Sequence, residues 1–592
     1  MTDHEQLLLN DVSLDAPWKL IDAFSQIIRE HPDEVNKAAD IIVAQLKEYG
    51  VPAKVHTPDL YLSLPKHAEV RANGQTFKAK PPSYSMNAPD GVSGQLVYVP
   101  AFFAKGSEDT FDTVDKEAVD QVDVNGKIVI TEGFAMPANV AIFQERGAVG
   151  LIAINPGVDI HWGTCTSIWG NPDLRSLERK PRIPALAVNH PDGEKLKALA
   201  NQSETVTVVT QMEEGWYPSK LPEVRIEGSE EPEKFVLLHG HYDSWDIGIG
   251  DNATGDATML EVARILWNNR EKLRRSVRIA WWPGHSTGRY AGSTWYSDEF
   301  ALDLDENCVA QINCDSPGCR WATEYKDVSL TPETEAFAAT VILDVTGQGM
   351  QGERAHQAGD YSFNNIGISG YFMLLSTMPD DLRKEKGYYG VGGCGGNIAW
   401  HTENDTLEIA DKDILLKDIK IYLLSVFRNA NAHLLPYDWR AATKVFGEVI
   451  EAYQTAAMDT FDFSPATGAN NELEGVLENF YKAISENLIA APVANAVLQD
   501  LGRILVPINF TQDPRFWHDP ALTIPPLPDL AEARNLTDYH GDMLGFAKTE
   551  LTRGRNRVVA TLRQARRRVE VAIGETGPSK QSQAPTAASS AA

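Results

Sequence analysis

Four apolar runs in this sequence each give way, within a few residues, to a histidine or an aspartate, and that recurrence limits the fold more than any other feature. Phe235-Val236-Leu237-Leu238 stops at His239-Gly240 and leads to His241 and Asp243. Ser276 to Trp282 stops at Pro283-Gly284 and leads to His285-Ser286, while Cys308 to Cys314 leads to Asp315. Ile398-Ala399-Trp400 reads as a fourth such run and enters His401. Short continuous apolar runs suit strands that are covered on both faces of a parallel sheet. After the first run comes a second loop, Ile249-Gly250-Asp251-Asn252, and then Met259, Leu260, Val262, Ala263, Ile265 and Leu266 at helical spacing. Open α/β sheets place ligand sites just beyond the carboxyl ends of their strands, which is where these polar residues fall.

A single His-x-Asp pair would mean little, because such pairs are most often hydrogen-bonded surface or core pairs. Successive strand ends that deliver His, Asp, His, Asp and His to one edge are more specific. Imidazole and carboxylate are the ligands of zinc-type sites, and one aspartate can bridge two ions. The expected cofactor is therefore zinc, as one or two divalent ions. The five cysteines are few and odd in number, which suits reduced thiols better than a disulfide framework. Cys314 and Cys319 lack a matching second pair and read as structural thiols.

Charge narrows the partners. The net charge of −28 argues against nucleic acid or an anionic membrane surface. The opening residues MTDHEQLLLNDVSLDAPWKL show no basic stretch followed by an apolar core, and no run approaches membrane-spanning length. The expectation is a cytoplasmic protein with no membrane partner, acting on a small molecule or peptide.

Along the chain, Trp18 to Ile28 and Val35 to Tyr49 read as helices. Residues 91–217 form a different texture, with strands at Gly94–Pro100, Gly126–Ile130 and Gly147–Ile154 and a helix at Ala138–Arg146. The long polar and aromatic loop Trp162–Lys180 in this module is expected to cover the site. From Leu221 to about Leu435, alternating strands and helices imply a mainly parallel sheet. Helices are expected at Asp438–Phe461, Glu472–Leu488 and Met543–Ile573, followed by a disordered tail over 574–592.

The motifs HGHYDSW (239–245), GDNATG (250–255), QINCDSPG (311–318), GDYSF (359–363) and WHTENDT (400–406) occur together and in order. So do RRSVRIAWWPG and GRYAGSTWY between them. In this the chain resembles the zinc aminopeptidase superfamily that includes glutamate carboxypeptidase II and the transferrin receptor. The resemblance implies an α/β fold with a zinc-peptidase-type, mostly parallel sheet flanked by helices, formed by 1–90 and 218–435. It implies a β-rich protease-associated domain inserted at 91–217 and a helical dimerisation domain at 436–573, hence a homodimer. It further implies that His241 and Asp315 hold one ion, that Asp251 bridges to a second, and that His401 completes the second. Asp243 would orient His241 from behind, and Asp405 would do the same near His401.

One departure bears directly on the chemistry. Relatives carry adjacent glutamates after the tryptophan, whereas this sequence reads Trp282-Pro283-Gly284-His285-Ser286. His285 then stands as a replacement base, a replacement ligand beside Asp251 and His401, or a loop histidine; Ser286 stands as a nucleophile or a turn residue. With His285 a ligand, Glu403 becomes the candidate base. The function expected is a metal-dependent hydrolase of amide or peptide bonds in small peptides or amino-acid conjugates. A non-catalytic binding protein, and a cyclase or lyase on the same fold, are the alternatives. For substrate contact the candidates are Trp400, Tyr371 and Phe372 as apolar wall, and Arg175 and Arg179 for a substrate carboxylate.

Overall fold

Phe235, Val236, Leu237 and Leu238 are all fully buried, as are the side chains from Val277 to Trp282, apart from the partly accessible Arg278. Strands covered on both faces need just this composition. In chain order the strands are β1 (Ala53–His56), β2 (Asp59–Ala72), β3 (Gln75–Ala79), β4 (Ala88–Tyr98), β5 (Ile128–Glu132), β6 (Gly150–Ile154) and β7 (Ala185–Val188). They continue with β8 (Thr205–Pro218), β9 (Leu221–Ile226), β10 (Glu231–His241), β11 (Arg275–Trp282), β12 (Cys308–Asn313), β13 (Val328–Leu330), β14 (Gly352–Arg354) and β15 (Gly370–Tyr371). An eight-stranded sheet runs β1-β9-β11-β10-β12-β15-β13-β14, and a seven-stranded sheet runs β3-β2-β8-β4-β5-β6-β7.

The computed structural model describes residues 1–103, 110, 111, 115–356 and 359–574. They divide into two compact units, Met1–Ala432 with Thr511–Ile524, and His433–Phe510 with the chain from Pro525 onward. The expected tail lies, past Gly574, outside the described residues.

In the eight-stranded sheet β10 pairs in parallel with both β11 and β12, with His241 opposite Trp282 and His239 opposite Asn313. That register brings the residues just after each strand to a common edge. Phe235 and Leu237 share one face with Trp282, Tyr296, Phe363 and Ile366. The helices Thr254–Asn268 and Lys412–Asn431 pack on β10 and β11. The first is buried from Thr254 through Ala263, so its first turns are enclosed on all sides. Each apolar side chain buried in this way contributes roughly 1.5–3 kcal/mol.

β2 pairs antiparallel with β8 along nearly its whole length and brings β3 with it, so both strands lie in the seven-stranded sheet. Thr511–Ile524, expected in the helical part, belongs to the first unit. In the second unit the helices are Trp439–Ala457, Ser464–Ser485, Ala491–Phe510 and Gly541–Gly574. Ile398–Trp400 is not a strand; the chain there is a series of turns.

The β1–β9 edge is tied by a buried carboxylate. Glu223 accepts hydrogen bonds from Tyr296 Oη (2.7 Å) and Arg225 Nε (2.9 Å), and lies 2.9 Å from His56 Nε2. Burial alone would raise its pKa, but His56, Arg225 and Tyr296 outweigh burial and hold it at about 2. A carboxylate depressed in the folded state stabilises above its unfolded value and loses that contribution as pH falls. Stability is therefore expected to fall by about 3 kcal/mol between roughly pH 4.5 and pH 2 on account of this group. Urea unfolding of Glu223→Gln across that range is expected to show a shallower acid slope; an unchanged slope would refute the assignment.

Candidate metal centre

The sheet register gathers the polar residues at one edge. His241, the last residue of β10, is buried, and its Nδ1 donates to the Asp243 backbone oxygen at 2.9 Å, which leaves Nε2 facing the site. Nε2 lies 3.0 Å from Asp251 Oδ1 and 3.6 Å from Asp315 Oδ2. Asp251 Oδ2 lies 3.1 Å from His401 Nε2. His401 Nδ1 donates to the Trp162 carbonyl at 3.1 Å, and the Trp162 N–H returns a bond to the His401 carbonyl at 2.9 Å. The loop Trp162–Lys180 thus reaches the centre through its first residue.

His285 joins this group. Its ring stacks on that of His241 with centroids 3.7 Å apart and planes 12° apart. Its Nδ1 lies 3.0 Å from Asp360 Oδ2, while Asp360 Oδ1 accepts from Ser293 Oγ at 2.6 Å. One donor atom each from His241, His285 and Asp315 lie within 4.8 Å of one another. Asp360 sits in the GDYSF motif but shows no spacing to mark it; only the fold places it behind His285.

The carboxylates of the two aspartates expected to orient imidazoles hold backbone, while the Asp243 carbonyl accepts from His241 Nδ1. Asp243 accepts the N–H groups of His285 (3.0 Å) and Ser286 (2.8 Å), so its side chain fixes the loop after β11. Asp405 accepts the N–H groups of Gly250 (2.7 Å) and Asp251 (3.0 Å) and so fixes the loop that carries Asp251. Burial, together with the nearby Asp251 charge, raises Asp405 to about 7. Burial would lower the pKa of His241, but Asp251 and Asp315 more than reverse it and lift it well above the usual imidazole range. Asp251 is held well below the usual carboxylate range by His241 and His401 despite its burial.

Other candidates lie elsewhere. Glu403 is half-exposed, and its Oε2 pairs with Lys80 Nζ at 2.7 Å, which directs it away from the donors. Tyr371 and Phe372 are fully buried core residues, Tyr371 Oη accepting from Asn429 Nδ2 at 3.2 Å and Phe372 packing on Tyr422. Arg175 and Arg179 line a separate cavity of about 280 Å³, where Arg175 lies over Trp517 and 3.6 Å from Asp513. Ser286 is fixed through its backbone, its carbonyl accepting from Thr164 Oγ1 at 3.0 Å.

A cavity of about 160 Å³ opens onto the donors, with Asp251, His285, Ser286, Asp315, Trp400 and His401 in its wall. Phe111, Phe134, His161, Trp162, Trp245, Arg289 and Tyr290 also line it, none of them marked by sequence spacing. Trp400 stacks on His401 with centroids 3.6 Å apart. Burial, reinforced by His401, drives His161 down to about 3, so it stays neutral; its Nε2 lies 2.7 Å from Tyr389 Oη.

The donors suit a divalent ion. His241 Nε2 and Asp251 Oδ1 are buried yet have no hydrogen-bond partner, although they lie 3.0 Å apart. Close approach without bonding alignment is what ligands aimed at a common point show, and an orphaned buried pair is otherwise costly.

A mostly parallel sheet with imidazoles and carboxylates at its carboxyl edge defines an α/β metallopeptidase fold. Residues 224–424 match the model of peptidase family M28. The family and the donor set together imply a divalent metal. A probable glutamate carboxypeptidase of Zea mays is 26% identical over 276 residues, 44% of this chain and 37% of the relative. The aminopeptidase NAALADL1 of Mus musculus is 38% identical over 126 residues, 21% of this chain and 17% of the relative. The chain thus matches less than half the length of these curated relatives. A zinc aminopeptidase from Bacillus subtilis shares the fold at a TM-score of 0.51 and 18% identity, over 71% of this chain and 96% of that one.

Proposed function

We propose that the chain is a zinc-dependent hydrolase of amide or peptide bonds in small peptides or amino-acid conjugates, with His285 in the proton-handling place of a glutamate. The observation that carries this is the orphaned, buried pair of His241 Nε2 and Asp251 Oδ1, ringed by Asp315, His285 and His401. His241, Asp251, Asp315 and His401 would hold a divalent ion, which would there supply water activation and carbonyl polarisation. Asp360 holds His285 at Nδ1, so Nε2 is the atom that takes a proton and returns it to the leaving nitrogen. Trp162 and Trp400 fix His401 on either side, and the aromatic wall limits water around the reacting bond.

A second reading of His285 has its own support. The grouping of His241, His285 and Asp315 within 4.8 Å also suits His285 as a ligand. The residue pair His285-Ser286 in place of two glutamates is what favours a non-catalytic binding protein. Metal content and turnover of Phe-Phe, compared between wild type and His285→Ala, separate the three. The expected result is stoichiometric zinc in both proteins, with turnover lowered roughly 100-fold or more in the variant. Zinc lost with the imidazole would make His285 a ligand. Wild type without zinc or turnover would end the hydrolase reading.

The reading includes a homodimer built through the helical unit, and cytoplasmic residence. Met543 and Phe546, one turn apart and exposed on the helix Gly541–Gly574, support the first. Five buried cysteines, none of them in a disulfide among the described residues, support the second. Among the described residues no helix is long and apolar enough to cross a membrane.

A further inference from the structure

The cavity beside the donors differs at its two ends. Next to His401 stand Trp400, Phe134, His161 and Phe111, with ring centroids 5.0 to 6.0 Å apart. This end is apolar, and His161 is neutral there. Next to His285 stands Tyr290, ring centroids 4.9 Å apart, and over Tyr290 lies the guanidinium of Arg289 at 4.9 Å. Among the described residues, Arg289 is the one arginine or lysine in the cavity wall.

Arg289 lies in no ion pair with a carboxylate among the described residues of the cavity wall, and its Nε is buried without a hydrogen-bond partner. Arg278 also has a buried nitrogen without a hydrogen-bond partner, Nη1, but its guanidinium pairs with Asp303. A donor taken out of water and left unmatched is costly, so a ligand that matches it gains what the empty site forgoes. The backbone commits the side chain to this place. Arg289 has φ 46° and Tyr290 φ 73°, both left-handed, and the Gly170 N–H fastens the Arg289 carbonyl at 2.6 Å. Non-glycine residues held in that region are uncommon and cluster at ligand clamps. A guanidinium fork matches a carboxylate with two parallel hydrogen bonds.

We propose that Arg289 is the specificity-determining residue of this site. It receives the α-carboxylate of a peptide or amino-acid conjugate whose apolar side chain lies among Phe111, Phe134 and Trp400. This rests on the hydrolase reading above and names its substrate class. The donors lie between the two ends, since His285 neighbours Tyr290 and His401 stacks on Trp400, so a ligand spanning both ends lays its amide across them.

The test uses the full chain loaded with zinc and two probes, N-acetyl-L-phenylalanine and its primary amide, titrated calorimetrically. Wild type is expected to bind the acid at least about tenfold more tightly than the amide. Arg289→Gln is expected to bring the two within about twofold, and Arg289→Lys to retain part of the preference, since it keeps charge and loses the fork. Matched thermal melting confirms that the variants are folded. No preference in wild type overturns the proposal. So does a preference that Arg289→Gln leaves intact, which would place the carboxylate on the metal. Hydrolysis of Phe-Phe is followed separately. Binding that depends on Arg289 without hydrolysis ends the hydrolase reading and leaves this one standing; hydrolysis with no dependence on Arg289 does the opposite.

Discussion

Asp251→Ala is expected to leave the purified protein with less than about a tenth of the zinc carried by wild type, and to weaken zinc binding roughly 100-fold or more. The reason is geometric. One carboxylate reaches both imidazoles, Oδ1 to His241 at 3.0 Å and Oδ2 to His401 at 3.1 Å. No other carboxylate among the described residues is placed within 4 Å of both rings. Its loss separates the ligand set into two parts and removes a negative charge that offsets a buried cation. Mass-spectrometric metal analysis, with chelator competition for affinity, reads the effect directly. Affinity should also weaken as pH falls, because His241 holds its proton above the usual imidazole range and must release it to bind. Full zinc content in Asp251→Ala would remove this residue from the ligand set.

The sequence makes the frame of this site legible because buried parallel strands carry a plain signal. Phe235–Leu238 and Val277–Trp282 are continuous apolar runs, and the residues after them can be placed at the carboxyl edge from topology alone. The partners of His285 and the cavity wall carry no such signal. Asp360 lies between β14 and β15, and Phe134, His161 and Trp162 arrive from the inserted module. Contacts between residues so far apart in the chain are set by packing and leave no period to read. Aspartates after strands look alike in sequence, and nothing in them tells that the carboxylates of Asp243 and Asp405 accept backbone N–H groups while His241 is held by the Asp243 carbonyl. The place of β2 carries no signal for a similar reason, since it reads as a strand of either sheet until its pairing with β8 is seen. The helix Ala491–Phe510 escapes because it carries Pro507, a residue that normally ends a helix.

Asp243 shows how much of the centre depends on such a contact. Asp243→Ala is expected to lower turnover by roughly 10- to 100-fold while zinc affinity stays near that of wild type, since no ligand atom is removed. The carboxylate accepts two N–H groups in succession, those of His285 at 3.0 Å and Ser286 at 2.8 Å. Alanine would leave both donors buried and unmatched, at about 1–3 kcal/mol each. The loop would relax to satisfy them, and His285 would move off the ring of His241, against which it is stacked at 3.7 Å. His241 itself keeps its bond to the Asp243 backbone oxygen, which the substitution does not touch. The loss should therefore fall on His285 and leave the His241–Asp251 pair in place. Asp243→Asn retains one acceptor oxygen and turns its amide N–H₂ toward the second donor, so it should fall between wild type and alanine. Chelator competition gives the affinity, and hydrogen exchange at residues 284–288 reports the loop. If Asp243→Ala keeps the turnover of wild type while exchange in that loop rises, the placement of His285 is not what the chemistry depends on.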